Sequence, residues 1–208
     1  MNAKIINGSA AGAAWIAVLF ACIACGTVGW YKVEAGANKH EIGIWNQCDT
    51  VIATGVKTCD DIIGKRTESK IICEDHTEGD LMKRVKATRA FSIMSIVIGA
   101  AGAVFPVLAL VKPLPVPAVV GVALTAVGGF FALITFAVYI ETWSKWYSCG
   151  KTPCDGNTNT CTIPYSFALC VVACGLFLIS TGLQAAAMVL SANDVANVKT
   201  EADAVPSS

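Results

Sequence analysis

The chain has 208 residues, 55% of them hydrophobic and 14% charged, and its 15 Lys/Arg balance 15 Asp/Glu. Zero net charge lacks the basic footprint of a nucleic-acid binder or of a protein held to anionic lipid by charge alone. The charges also avoid four long apolar runs, which excludes a soluble globular protein and makes the lipid bilayer the first partner.

The runs are 10–29, 90–111, 118–140 and 165–190, and none holds a charged residue. A helix needs roughly 20 apolar residues to cross a bilayer core, and only helices satisfy their own backbone at that length. The sequence predicts a membrane all-α fold. Its single domain, 1–190, is a four-helix transmembrane bundle, followed by a polar, disordered tail at 191–208. The first run lies behind Lys4, where a signal peptide would begin, but it is too long for a signal core and lacks a clear small-x-small cleavage site. Leu19-Phe20-Ala21-Cys22 departs from a lipoprotein box at Phe20. Gly8-x3-Gly12 and Gly99-x3-Ala103 have the spacing of close helix approach, read here as ordinary packing within the bundle.

Between the first two runs, residues 30–89 form a long loop. Glu41–Gln47 and Val51–Val56 read as two short strands, from the alternation of Ile42 and Ile44 and the β-branching of Val51, Ile52, Thr54 and Val56. Cys48-Asp49-Thr50 is then the turn, Lys70–Cys73 a further strand, and Glu78–Arg89 a charged helix entering the second span. The turn Lys112–Pro117 makes the second and third spans antiparallel neighbours, its prolines suiting the start of a helix. A second, smaller loop spans 141–164. Trp30, Trp143, Trp146 and Tyr165 fall at span ends, where amphipathic rings favour the membrane interface.

Ten cysteines give the sidedness. Cys22, Cys25, Cys170 and Cys174 lie in spans, whereas Cys48, Cys59, Cys73, Cys149, Cys154 and Cys161 all lie in the two loops on one side. An even set confined to one side reads as a disulfide framework in an oxidising compartment. Positive charge argues the reverse, since the first loop holds ten Lys/Arg. That rule weakens for long loops, and here acidic residues balance the basic ones. The cysteines therefore decide the expectation: a plasma-membrane protein with both termini cytoplasmic and both long loops outside. Asn7-Gly8-Ser9, a glycosylation pattern, is then cytoplasmic and unused.

Cofactor and metal sites are not expected. Cys73-x2-His76 is half a zinc site at most, in a chain with two His. Cys22-x2-Cys25 could serve a four-span thiol oxidoreductase, but thiols in an apolar helix remain protonated packers. The chain reads as non-enzymatic.

A tight antiparallel pair carrying Trp45-x2-Cys48-x10-Cys59 can be stapled if its cysteines face one another. Such a bond is worth about 3 kcal/mol in the chain-entropy model. The run Gly43-Ile44-Trp45-Asn46-Gln47-Cys48 with Cys59 resembles the claudin signature, Gly-Leu-Trp-x-x-Cys followed by a second Cys. It follows a span ending in Trp30, and Arg89 matches the basic residue that leads into the family's second span. The likeness covers residues 10–190 and extends to the peripheral myelin and epithelial membrane proteins and calcium-channel gamma subunits. It implies a four-span bundle with a small extracellular antiparallel sheet and a single Cys48–Cys59 bond; six loop cysteines allow fifteen connectivities, and the reading favoured here adds a bond from Cys73 to the second loop. It also implies a cell-junction protein that forms a paracellular barrier by association with itself, in cis and in trans. Asp60, followed by Asp61, would take the place that sets charge selectivity, although a solvated loop carboxylate is the simpler reading. The alternative is an auxiliary subunit of another membrane protein, such as a channel. The tail lacks the family's terminal Tyr-Val, and four of the loop cysteines are extra, which fits an outlying relative, from an invertebrate or a protist.

Overall fold

The computed structural model describes residues 3–35, 37–62, 78–111, 118–146, 160–162 and 165–203. Four helices, α1 (Ala3–Gly26), α2 (Glu78–Val111), α3 (Ala118–Trp146) and α4 (Tyr165–Asp203), enclose the bundle. Each contains a stretch long and apolar enough to cross a membrane: Lys4–Gly26, Lys83–Val111, Val119–Thr142 and Tyr165–Asn193. The helices pack in a ring, with α1 against α2 and α4, and α3 against both α2 and α4. The charged segment before the second span is continuous with it, as α2 begins at Glu78. The region after 190 differs from expectation, because α4 runs on to Asp203.

Lipid supplies no hydrophobic drive between helices, so small residues and hydrogen bonds must bring them together. A side chain at Gly128 would meet the Gly99 Cα at 2.7 Å, so α2 and α3 touch backbone to backbone there. Ser95 Oγ donates to Gly128 O at 2.9 Å across the same contact. Deeper in, buried Gln184 Nε2 donates to Thr125 Oγ1 at 3.0 Å and to Ser180 Oγ at 3.1 Å. Ser180 Oγ passes the chain on to Ala10 O at 2.8 Å, tying α1, α3 and α4 at one level.

At one end of the bundle stands a five-stranded antiparallel sheet of order β4-β3-β2-β1-β5. Its strands are β1 (Tyr31–Ala35), β2 (Asn38–Ile42), β3 (Asn46–Val51), β4 (Lys57–Asp61) and β5 (Thr160–Thr162). The last comes from the second loop and lies beside β1, with Cys161 opposite Val33, so both loops build one sheet. The strands at 41–47 and 51–56 are corrected: the chain turns a corner at 43–45 and makes its hairpin turn at 52–56. Gly55, at φ 68°, supplies the left-handed residue of that turn, and Val51 N donates to Val56 O at 3.0 Å. The β-branched residues that suggested a strand sit at the hairpin tip instead. Cys48 is inside a strand rather than in the turn. The expected strand at Lys70–Cys73 lies outside the described residues.

Candidate functional site

The sheet meets the bundle through an apolar cluster of Trp30, Ile42, Ile44, Ile62, Val85 and Tyr139. Trp30 is not the interfacial anchor that its position suggested. It is buried, its indole Nε1 donates to Ala24 O, and its ring lies 4.7 Å from that of Tyr139. Burying the ring uses its apolar area, and the carbonyl at the end of α1 satisfies its one donor. Gly43 is required by contact: a Cβ there would stand 2.6 Å from Thr27 O and 2.8 Å from the Val28 Cα. Both are backbone atoms that cannot swing aside. The corner at 43–45 therefore lies flat on the segment leaving α1, and only glycine fits.

Arg89 fastens that corner from the other side. Reaching up from α2, its Nε donates to Ile44 O and its Nη2 to Trp45 O, each at 3.1 Å, while Nη2 also lies 3.0 Å from Asp61 Oδ1. The guanidinium sits 4.6 Å from the centroid of the Trp45 ring. Its side chain is only 11% exposed, against 60% for Asp61, so the carbonyls and the ring define the site and the carboxylate closes its wet edge. A planar fork of five donors suits two adjacent carbonyls and a carboxylate at once, which an ammonium group cannot match. The structure thus brings Gly43, Trp45, Trp30 and Arg89, which are scattered over sixty residues of sequence, into one joint. Asp61 belongs to this joint, and Asp60 pairs in register with Gln47.

Farther out, Cys48 and Cys59 are directly paired across β3 and β4, with Cα atoms 4.1 Å apart, and form a disulfide. Cys73, Cys149 and Cys154, with His76, lie outside the described residues. Beside the disulfide runs a row of ion pairs: Lys39 and Lys57 both bond Glu41, the latter at 2.7 Å, and Lys32 bonds Glu34 at 2.8 Å. Partial burial pushes the Glu41 carboxyl up, but hydrogen bonds from Lys39 and Lys57 outweigh it and hold the group below its ordinary range. Glu34 is lowered chiefly by its hydrogen bond from Lys32. At the tip, Val51, Ile52 and Val56 are exposed, Ile52 to 52%.

The span thiols pack as small apolar groups. Cys25 and Cys170 are buried, and the Cys170 and Cys174 thiols point at Ala132 O and Gly129 O, 3.9 and 3.7 Å away. Cys22 faces outward. Among the described residues no three His, Cys, Asp or Glu are grouped as metal ligands.

A ring of four membrane helices surmounted by a disulfide-stapled sheet, with the Gly-x-Trp corner clamped by an arginine, defines a claudin-like tetraspan membrane protein. Within that class the family model described as "Amastin surface glycoprotein" matches residues 15–183, and the chain belongs to this family. Among curated proteins no sequence matches it. The protein is a multi-pass protein of the surface membrane, and its family is not an enzymatic one. Membership overturns the expectation of a paracellular barrier at cell–cell contacts: the family is one of parasite surface membrane proteins, not of junction proteins. The shared signature residues explain the error. They build the joint between sheet and bundle, which any protein of this architecture needs whatever its sheet meets. The chain's single Asn-x-Ser/Thr pattern, at Asn7, lies in α1 near the end of the bundle remote from the sheet.

Proposed function

We propose that this protein is a non-catalytic display scaffold: the bundle holds the braced sheet outside the cell, both termini remain cytoplasmic, and the β3–β4 hairpin tip is the recognition element. The observation that carries this reading is the Arg89 joint, which fixes the sheet to α2 while Val51, Ile52 and Val56 stay exposed at its far end. Three exposed β-branched side chains on a stapled hairpin lose little entropy on contact, because the Cys48–Cys59 bond has already ordered the backbone beneath them. Interfaces of this kind concentrate their energy in a few preorganised apolar side chains. The cysteine framework supports the outside placement, since disulfides persist in oxidising compartments.

Two measurements test it on intact cells. An epitope inserted between Thr54 and Gly55, in the exposed turn, should bind antibody without permeabilisation, whereas one at the C-terminus should need it. A photoreactive amino acid at Ile52 should form adducts with a macromolecular partner, and the same group at Leu133, on the bilayer face of α3, should give a different pattern. An inaccessible turn epitope, or no adduct at Ile52 beyond lipid, would refute the display reading.

A further inference from the structure

The chain belongs to a family of surface glycoproteins, and its fold narrows where a sugar can be attached. A sugar linked to asparagine needs the pattern Asn-x-Ser/Thr on an outward-facing segment. The one such pattern in these 208 residues begins at Asn7. Asn7 lies inside the helical span Lys4–Gly26, in its first turns, at the end of the bundle remote from the sheet. The Cys48–Cys59 bond puts the sheet in an oxidising compartment, so Asn7 is on the opposite side of the membrane. An outward sugar on this chain is therefore carried by a hydroxyl.

Most hydroxyls at the outer end are already committed. Thr27 Oγ1 donates to Ile23 O at 2.9 Å and lies 2.6 Å from the Oγ of buried Ser166. Thr142 is buried and donates to Val138 O. Thr50 is half-buried in β3, with Lys39 opposite it on one side and Lys57 on the other. Thr58 is exposed, but its backbone is locked in the ladder opposite Asp49. Thr160 and Thr162 are likewise held in β5, paired with Glu34 and Lys32. Among the described residues that leaves Thr54.

Thr54 stands outside the ladder, in the turn between β3 and β4. Residues 51–59 are exposed without interruption, so an enzyme meets a whole acceptor segment and not a single side chain. The neighbours of Thr54 are Ala53 and Gly55, and a Cβ at Gly55 would meet nothing within 4 Å. A bulky ring attached at Oγ1 therefore has room on both sides. Thr54 Oγ1 accepts from Val56 N at 3.4 Å, which uses a lone pair and leaves the O–H free to react. A glycosidic oxygen keeps a lone pair, so the turn survives the modification. Strand β3 is six residues long, which carries the turn roughly 17–20 Å from the corner at Gly43, clear of the membrane.

We propose that Thr54 is an O-glycosylation site. In the secretory lumen its Oγ1 attacks the anomeric carbon of a nucleotide-activated sugar bound to a glycosyltransferase. The bond from that carbon to the phosphate oxygen breaks as the bond to Oγ1 forms. The nucleoside diphosphate leaves, and the hydroxyl proton passes to a base on the transferase. The sugar then stands between Ile52 and Val56, which are 52% and 59% exposed, so whatever meets the hairpin tip meets carbohydrate flanked by apolar side chains. The assignment rests on the outward placement of the sheet proposed above.

The full-length chain, tagged at its C-terminus and purified from the surface of the cells that make it, tests this by peptide mass spectrometry. After reduction, trypsin releases His40–Lys57 as one peptide, whose hydroxyls are Thr50 and Thr54. That peptide should carry the added mass of one or more sugar residues, and electron-transfer fragments should place it between Ala53 and Gly55. Thr54→Ser should keep the sugar, and Thr54→Ala should lose it while retaining the Cys48–Cys59 bond, which marks the variant as folded. Asn7→Gln and digestion with an N-glycosidase should leave the mass unchanged. A bare His40–Lys57 peptide overturns the proposal, and so does a sugar found on Thr50 alone or undiminished in Thr54→Ala. If the peptide is bare while an epitope in the turn is accessible on intact cells, only the glycan site falls. A sugar on Asn7 would put the opposite end of the bundle outside and overturn the display reading as well.

Discussion

Replacing Arg89 by Met keeps the stem and removes the fork. Two carbonyls, Ile44 O and Trp45 O, lose a charged donor in a region that is nearly closed to water. Each such loss costs on the order of 1–3 kcal/mol when the acceptor is left without a partner. The Asp61 contact adds little, since that carboxylate is 60% exposed and its ion pair is screened. Stacking on Trp45 adds roughly 0.5–1 kcal/mol. Because Trp45 O also accepts from Ile62 N at 3.0 Å, one carbonyl keeps a partner, and about 3 kcal/mol is the reasonable total. That free energy acts on the joint rather than on the helices, whose hydrogen bonds lie within each span. Amide hydrogen exchange of the protein in nanodiscs should therefore show Gly43 and Ile62 exchanging about 100-fold faster in Arg89→Met, with amides in the middle of α2 and α3 unchanged. Arg89→Lys should recover only a minor part, as a point charge cannot serve both carbonyls and the carboxylate. Exchange at Gly43 and Ile62 within twofold of the parent would refute the clamp, and so would uniform acceleration through the spans.

Three other outcomes follow from the same geometry. Gly43→Ala forces a Cβ onto the backbone of Thr27 and Val28, so it should lower sheet stability by about 1–3 kcal/mol, read by the same exchange at the corner; parental exchange would show that the corner is not in contact. The folded Glu41 carboxyl titrates below its unfolded value, so its stabilisation is complete above the ordinary carboxylate range and is lost as pH falls through the depressed folded value. Opening of β2 and β3 should rise on acidification in that window, and Glu41→Gln should remove this part of the acid sensitivity. Gln184→Leu deletes two buried donors to Thr125 and Ser180, and in a membrane such bonds average about 0.6 kcal/mol each. A loss of about 1 kcal/mol in bundle unfolding by SDS is expected, with no change at the sheet; a loss confined to the sheet would contradict the network's placement.

Much of the fold is legible in the chain because lipid imposes a local rule. A spanning segment must be apolar along its length and must satisfy its backbone within itself, so the four runs declare themselves without reference to one another. The cysteine partition also reads locally, and the structure closes Cys48 on Cys59. The strands were misplaced for an equally physical reason. A β-branched run such as Val51–Val56 has the same composition whether it pairs in a sheet or stands at a tip, and Gly55 was the signal that tells the two apart. Pairing of β5 with β1 joins residues well over a hundred positions apart and leaves no periodic trace.

The sequence by itself therefore determined the membrane class, the number of spans and the stapled loop, since each follows from how residues meet lipid or an oxidising solvent. Only the tertiary structure decided which way side chains face. Gly43 could be seen as part of a signature but not as pressed against Thr27, and Arg89 could be seen as basic but not as the clamp on Ile44 and Trp45. Gly8-x3-Gly12 had the spacing of bundle packing, yet a Cβ at either glycine would meet nothing within 4 Å. A helical repeat fixes which residues share a face, but whether that face meets a neighbour or lipid depends on the packing of the other helices.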